Sequence, residues 1–286
     1  MAVHKRGYSR YRGHITGHWA RLMVVPRFAW ERLLAQRLVV ICLLAALVWP
    51  LLCAGFIYVV NHSELWPGLP SGLRNALKIN GNFFLVFMNG QSVFVLMLAA
   101  LAGPGLIAPD LANNALPLYL SRPLSRPEYV LAKLLVLTGL LSLVSLAPAL
   151  LLFLLQTGMG GWSWISANWT LGGGVMAGFL IWILLASMVA LASSAYVRWR
   201  LVAGGLVLGF FFVLSGVAQM VNMVFRVSWG ALLDPYRAAY RIWCSLLSVD
   251  PPAGLGLTES AVALAVMALL LVLVLERKLR PVEVVS

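Results

Sequence analysis

Long uncharged apolar runs alternate with short polar stretches along this chain. Runs of about 20 residues or more, the length a helix needs to cross a bilayer, cover residues 38–60, 83–108, 134–157, 169–192, 201–225 and 253–275. They predict six transmembrane helices. The third and fourth come from one uncharged tract of 64 residues, 134–197. As a single helix that tract would be about 96 Å long, three times the hydrocarbon thickness. The cluster Gly158-Met159-Gly160-Gly161, followed by Trp162 and Trp164, marks the hairpin that splits it.

Lys and Arg set the orientation. Eight lie in residues 1–37 (Lys5, Arg6, Arg10, Arg12, Arg21, Arg27, Arg32, Arg37), three in 109–133, two in 193–200 and three in 276–286. The opposite side carries Arg74, Lys78, Arg226, Arg237 and Arg241. The positive-inside rule therefore puts both termini in the cytoplasm, which requires an even number of crossings and agrees with six. The expected organisation is a basic cytoplasmic arm over 1–37, a six-helix domain over 38–275 and a cytoplasmic tail over 276–286. The arm is polar and precedes a span of full length with no small-residue cleavage site, so it does not read as a cleavable signal. From Pro26 to Arg37 it can form an interfacial helix, with Trp30, Leu33 and Leu34 on one side and Arg27 and Glu31 on another.

Composition agrees with this all-α polytopic reading: 62% of residues are hydrophobic and only 10% are charged, against about 45–50% and about 25% in a soluble domain. The net charge of +12 is absorbed by topology and needs no nucleic-acid partner, since no recognition motif accompanies it. Enzyme chemistry is poorly supplied. The four His are His4, His14, His18 and His62, with no His-Glu-x-x-His pattern, and Ser163 in Gly161-Trp162-Ser163-Trp164 lacks the second glycine of a nucleophile elbow. No metal or catalytic residue is assigned. Lys5, Lys78, Lys133 and Lys278 are followed by Arg, Ile, Leu and Leu, so no phosphate-binding Gly-Lys-Ser/Thr ending exists. If ATP drives this protein, another polypeptide binds it. The first five spans hold no charged residue and the sixth only Glu259 near its outer end, which disfavours an ion-coupled carrier.

The most informative loop runs from Ile107 to Lys133. Ser125 and Glu128 form a Ser-x-x-Glu capping box with Pro127 in the first turn, which starts the third span cleanly. Pro109, Pro117 and Pro123 break the remainder into short pieces. A helix of one or two turns beginning at Asp110 would then place an acidic residue at its positive end. The stretch Leu120-Ser121-Arg122-Pro123-Leu124-Ser125-Arg126-Pro127-Glu128-Tyr129-Val130-Leu131-Ala132-Lys133 resembles the cytoplasmic loop of ABC-2-type transporter permeases. Asp110 stands where many of those proteins carry Glu. The resemblance implies a short coupling helix between the second and third spans, docking on a separate ABC ATPase. It makes Asp110, Arg122, Arg126 and Glu128 the force-transmitting polar residues. The plainer alternative stays open: Arg122 and Arg126 as positive-inside anchors and Asp110 as a cap.

Before the sixth span, Asp234-Pro235 opens a helix with cap and first-turn proline in order. Tyr236, Ala239, Tyr240, Ile242, Trp243, Leu246 and Leu247 fall on one arc, with Arg237, Arg241 and Ser245 opposite. It resembles the re-entrant or surface helix of ABC-2 permeases. Its aromatic residues Tyr236, Tyr240 and Trp243 then form either an outer gate or an anchor among the headgroups. Asn89 and Gln91 in the second span, with Gln219 and Asn222 in the fifth, are candidates for a translocation path, because the resemblance implies that those two helices line it. Such amides also serve as links between helices. Gly174-x-x-x-Gly178 and Gly205-x-x-x-Gly209 mark faces where helices can approach closely.

The expected function is thus the membrane subunit of an ATP-driven ABC-2-type exporter in a plasma membrane, that of a bacterial inner membrane by resemblance. It would work with two ATPase subunits that bind ATP and Mg, and with a second permease subunit, identical or homologous. A path with only amide polarity suits lipids, hydrophobic peptides or drugs better than ions. Two rival readings stand beside it: a secondary transporter driven by an ion gradient, and a membrane assembly protein that transports nothing.

Overall fold

The computed structural model describes residues 18–62, 78–113, 126–197, 199–252 and 254–278, and every regular element among them is helical. In chain order these are α1 (His18–Leu34), α2 (Arg37–Asn61), α3 (Gly81–Ala102), α4 (Pro104–Ala112), α5 (Arg126–Val144), α6 (Leu146–Tyr196), α7 (Arg200–Phe225), a 3-10 turn (Trp229–Leu233), α8 (Pro235–Leu246) and α9 (Leu257–Lys278). Five stretches are long and apolar enough to cross a membrane: Arg37–Asn61, Gly81–Asp110, Pro127–Tyr196, Arg200–Phe225 and Leu257–Lys278. Their apolar side chains fall into two groups. The most apolar window of the second stretch is 56% buried, whereas that of α9 is only 11% buried, with Val266, Leu269, Leu270 and Leu273 exposed. An apolar helix bare to that degree belongs in lipid, so the chain is a helical membrane protein.

The longest stretch is folded back on itself. Gly161 has φ 70° and ψ −172°, a backbone conformation that only glycine adopts without strain. Beyond it the ring of Trp164 lies 5.5 Å from that of Phe153. A Cβ on Gly172 would sit 3.1 Å from the Phe153 ring. In a straight helix Phe153 and Gly172 would be about 28 Å apart. The reversal expected at Gly158–Gly161 is therefore where the chain turns.

Prolines shape the core, and one amide serves two of them. Pro50 and Pro148 cannot donate to the carbonyls four residues earlier, Ala46 in α2 and Val144 at the end of α5. Gln91 Nε2 donates to both, at 3.2 Å to Ala46 and 2.7 Å to Val144. Gln91 is fully buried, so it pins three helices together where two ladders are broken. Ser194 does similar work at the α3–α4 break. Its hydroxyl donates to the Pro104 carbonyl and accepts from the amides of Ile107 and Ala108.

The helix expected from Pro26 to Arg37 forms farther back than the sequence indicates, over His18–Leu34, with Pro26 inside it and Arg37 already in α2. Its Trp30 donates to the Val136 carbonyl at 2.8 Å, and Gly139 leaves room for that indole. Leu33 is buried, but Leu34 is exposed. The exposed Arg27 and Glu31 pair at 3.7 Å, as one turn of helix dictates.

Candidate functional site

The segment between α7 and α9 folds back into the bundle. Asp234 Oδ2 accepts from Ser215, ten residues before the end of α7 and so about 15 Å down that helix. Gly230 packs on Asn222, Val221 and the Ala218 carbonyl, where a Cβ would lie 2.5 Å from Asn222 Oδ1. The 3-10 turn thus descends along α7, and α8 climbs out again. Asp234 caps α8 as its Asp-Pro sequence predicts, accepting from the amides of Tyr236 at 2.9 Å and Arg237 at 3.3 Å. Those amides take Oδ1, and Oδ2, which holds Ser215, also lies 3.5 Å from Arg237 Nε. A buried carboxylate with that many partners is fully satisfied.

The apolar side of α8 packs against α6. The Trp243 indole, fully buried, donates to the Gly178 carbonyl at 2.9 Å. A Cβ on Gly178 would come within 2.9 Å of Trp243 and 2.7 Å of Met88, and one on Gly174 within 2.5 Å of the Leu246 carbonyl. The Gly174–Gly178 face is therefore the seat of α8. The Gly205–Gly209 face behaves differently, with nothing within 4 Å of either Cβ position; the close approach in α7 belongs to Gly204, against the Ala100 carbonyl. Trp243 is fully buried. It packs edge-on to Trp182 in the core, with ring centroids 5.8 Å apart.

On its other side α8 borders a cavity of about 580 Å³ lined by Asn89, Asn222, Ser228, Tyr236, Arg237, Tyr240 and Arg241, with Pro252, Gly254 and Leu255. Asn89 and Asn222, placed on a path by the sequence, meet Tyr236 and Tyr240 of the expected gate helix here. The Tyr236 hydroxyl donates to Asn89 Oδ1. Gln91 and Gln219 do not join them: Gln91 links helices as described, and Gln219 is exposed on the outer face of α7. Burial, with the neighbouring Tyr240, Asp234 and Cys244, pushes the Tyr236 phenol up from its ordinary value. Burial and the nearby Cys244 do the same for Tyr240. Both phenols therefore stay protonated donors at neutral pH. Arg241 Nε donates to the Leu255 carbonyl at 2.9 Å, and no described carboxylate lies within 4 Å of it. Asn222 Oδ1 is buried without a hydrogen-bond partner among the described residues.

Arg237 and Arg241, on the arc opposite the apolar one as the sequence indicates, line this cavity. The polarity available is accordingly not amide alone, as the spans by themselves indicate, but includes two guanidinium groups. The cue in the sequence is the strong segregation of the two arcs on a helix whose cap is an acidic residue; its burial depends on Ser215, 19 residues away.

About 30 Å farther along α3 and α4 from Asn89 lies a second polar centre. Lys133 Nζ is 2.7 Å from Asp110 Oδ2, with the lysine side chain 7% and the aspartate side chain 15% exposed. The Tyr129 hydroxyl donates to the same oxygen at 2.7 Å. Asp110 sits in the last turn of α4, not at the start of a helix. It is thus no N-terminal charge: Pro104, not Asp110, opens the helix, and the carboxylate ties α4 to α5 instead. Glu128 occupies the first turn of α5. Arg122 and Ser125 lie outside the described residues, and so does the side chain of Arg126, which opens α5. No three His, Cys, Asp or Glu gather as a metal site among the described residues. Compared with known proteins, the chain matches no family model and no curated protein.

Proposed function

We propose that the chain is the membrane-spanning permease subunit of an ATP-driven ABC-2-type exporter. Six crossings follow if the 70-residue stretch counts twice, which its reversal at Gly161 supports. The basic arm and tail then lie in the cytoplasm of a bacterial inner membrane. The reading is carried by one observation: residues of the second and fifth spans and of the re-entrant helix converge on a single polar cavity. In a transporter such a cavity, roofed by a short helix between spans, is where cargo is held. ATP and Mg would be bound by two separate ATPase subunits, docked beside the loop that follows Asp110. A second permease copy or homologue would complete the path, and the Asp110–Lys133 tie would pass movement of the loop into α5.

Secondary transport has one specific observation in its favour, the ionisable Asp234 and Arg237 carried into the bundle by the re-entrant segment. Against it, Asp234 is held by its cap amides, Ser215 and Arg237 and does not line the cavity. The deciding experiment is a mild-detergent pull-down of the tagged chain with an ATPase assay on the eluate, repeated for an Arg122→Ala/Arg126→Ala variant. The proposal expects an ABC ATPase with wild type and its loss or uncoupling in the variant. Transport that survives ATP depletion and follows an ion gradient, with no ATPase recovered after crosslinking, would replace it.

A further inference from the structure

The cavity beside α8 holds a positive charge that no described carboxylate balances, and its chemistry specifies a ligand. Arg237 is balanced by Asp234 at 3.5 Å. Arg241 has only a backbone carbonyl, Leu255, on its Nε, so one positive charge faces the cavity without a described counter-ion. Asn222 lines the cavity as well, but its buried Oδ1 is packed against Gly230 and is not offered to a ligand. Tyr240 adds a phenol that burial keeps protonated. The complement of this set is an anion.

The chain next to the cavity is apolar and exposed: Met223, Val224 and Phe225 follow the lining Asn222 at the end of α7, and Trp229 follows the lining Ser228. An anion that reaches the cavity from such an apolar surface can carry an apolar tail. We propose that the cavity binds the anionic headgroup of a lipid-like amphiphile, with Arg241 holding the charge. As a cargo assignment this rests on the transporter reading; as a binding site it does not.

Binding is therefore measured without any ATPase. The purified chain is exchanged into mixed micelles holding equal amounts of dioleoylphosphatidylglycerol and dioleoylphosphatidylcholine, and retained lipid is counted by native mass spectrometry. Wild type retains the glycerol lipid in preference. Arg241→Gln lowers that preference about tenfold, the scale of one charge-assisted hydrogen bond, Arg241→Lys keeps most of it, and Arg277→Gln at the far end of α9 leaves it unchanged. Asn222→Asp, which puts a negative charge into the cavity without touching Arg241, abolishes it. Equal retention of both lipids by wild type, or a preference indifferent to both Arg241→Gln and Asn222→Asp, overturns the proposal. So does complete displacement of the lipid by millimolar inorganic phosphate, which would mark a site for a free anion. A pull-down without ATPase would leave these outcomes untouched, so the two readings fail separately.

Discussion

Asp110, Lys133 and Tyr129 hold one another at the α4–α5 joint, with contacts of 2.7 Å and almost no exposure of the lysine. Around α8, by contrast, Arg241 lines a cavity and has a backbone carbonyl but no described carboxylate beside its charge. Both places bring charge into a molecule that is otherwise apolar, yet only one carries its own counter-ion. A closed buried ion pair is costly to break and so transmits movement as a rigid tie. A cavity whose charge has no internal counter-ion is stabilised by a ligand that supplies one.

The largest expected effect comes from opening the closed joint. Asp110→Ala takes from the buried Lys133 the carboxylate that lies 2.7 Å from its Nζ and is expected to cost about 3–5 kcal/mol. It would be read as a fall in the temperature at which the buried thiols Cys42, Cys53 and Cys244 react with a fluorogenic maleimide. Adding Lys133→Met should recover most of the loss. Asn222→Ala, which removes a group that has no partner, should shift the same transition by less than about 0.5 kcal/mol. Equal losses from the two substitutions would erase the distinction between the two places.

A second contrast concerns the two glycine faces. Gly178→Leu forces a side chain into Trp243 and Met88 and should cost about 1–3 kcal/mol by overpacking, with α8 displaced. Gly205→Leu points into open space and should cost nothing measurable. Next in size is Gln91→Met, expected to cost about 1–3 kcal/mol because two proline-freed carbonyls lose their donor. In a Pro50→Ala/Pro148→Ala background the restored amides should supply the Ala46 and Val144 carbonyls, and the same substitution should then cost less.

These contrasts also mark what was legible in the sequence. The apolar runs placed α2 and α7 to within a residue or so, because hydropathy and the absence of charge are local properties. The Gly158–Gly161 reversal and the Asp234 cap were equally local. What escaped was pairing across distance: Asp110 with Lys133, Ser215 with Asp234, and Gln91 with carbonyls 45 and 53 residues away. Charge counting placed 226–259 on the outer side of the membrane and left its helix open between a re-entrant and a surface course, since Arg and Asp are dear in lipid. It has no means of knowing that Asp234 finds Ser215, two amides and an arginine there. Likewise, two identical Gly-x-x-x-Gly spacings read alike, and only the packing of α8 on the first separates them.

The smallest effect is alkaline. Burial raises the Tyr236 and Tyr240 phenols, so above about pH 10 the unfolded chain releases protons that the folded chain retains. Stability should therefore decline as pH rises through that range and be flat below it. Tyr236→Phe should shallow the decline in the same maleimide assay, and an unchanged slope would mean that its burial carries no such penalty.

The measurement closest to the central claim asks whether nucleotide on a partner changes the cavity. Ser228 lines it and is exposed, so Ser228→Cys can be labelled in sealed vesicles by a membrane-impermeant maleimide, with the buried native thiols as an internal baseline. When the chain is co-purified with its ATPase and reconstituted, trapping that ATPase with ATP and vanadate should change the labelling rate several-fold, and Arg122→Ala/Arg126→Ala should remove the change. A labelling rate indifferent to nucleotide, in a preparation that hydrolyses ATP, would contradict the account.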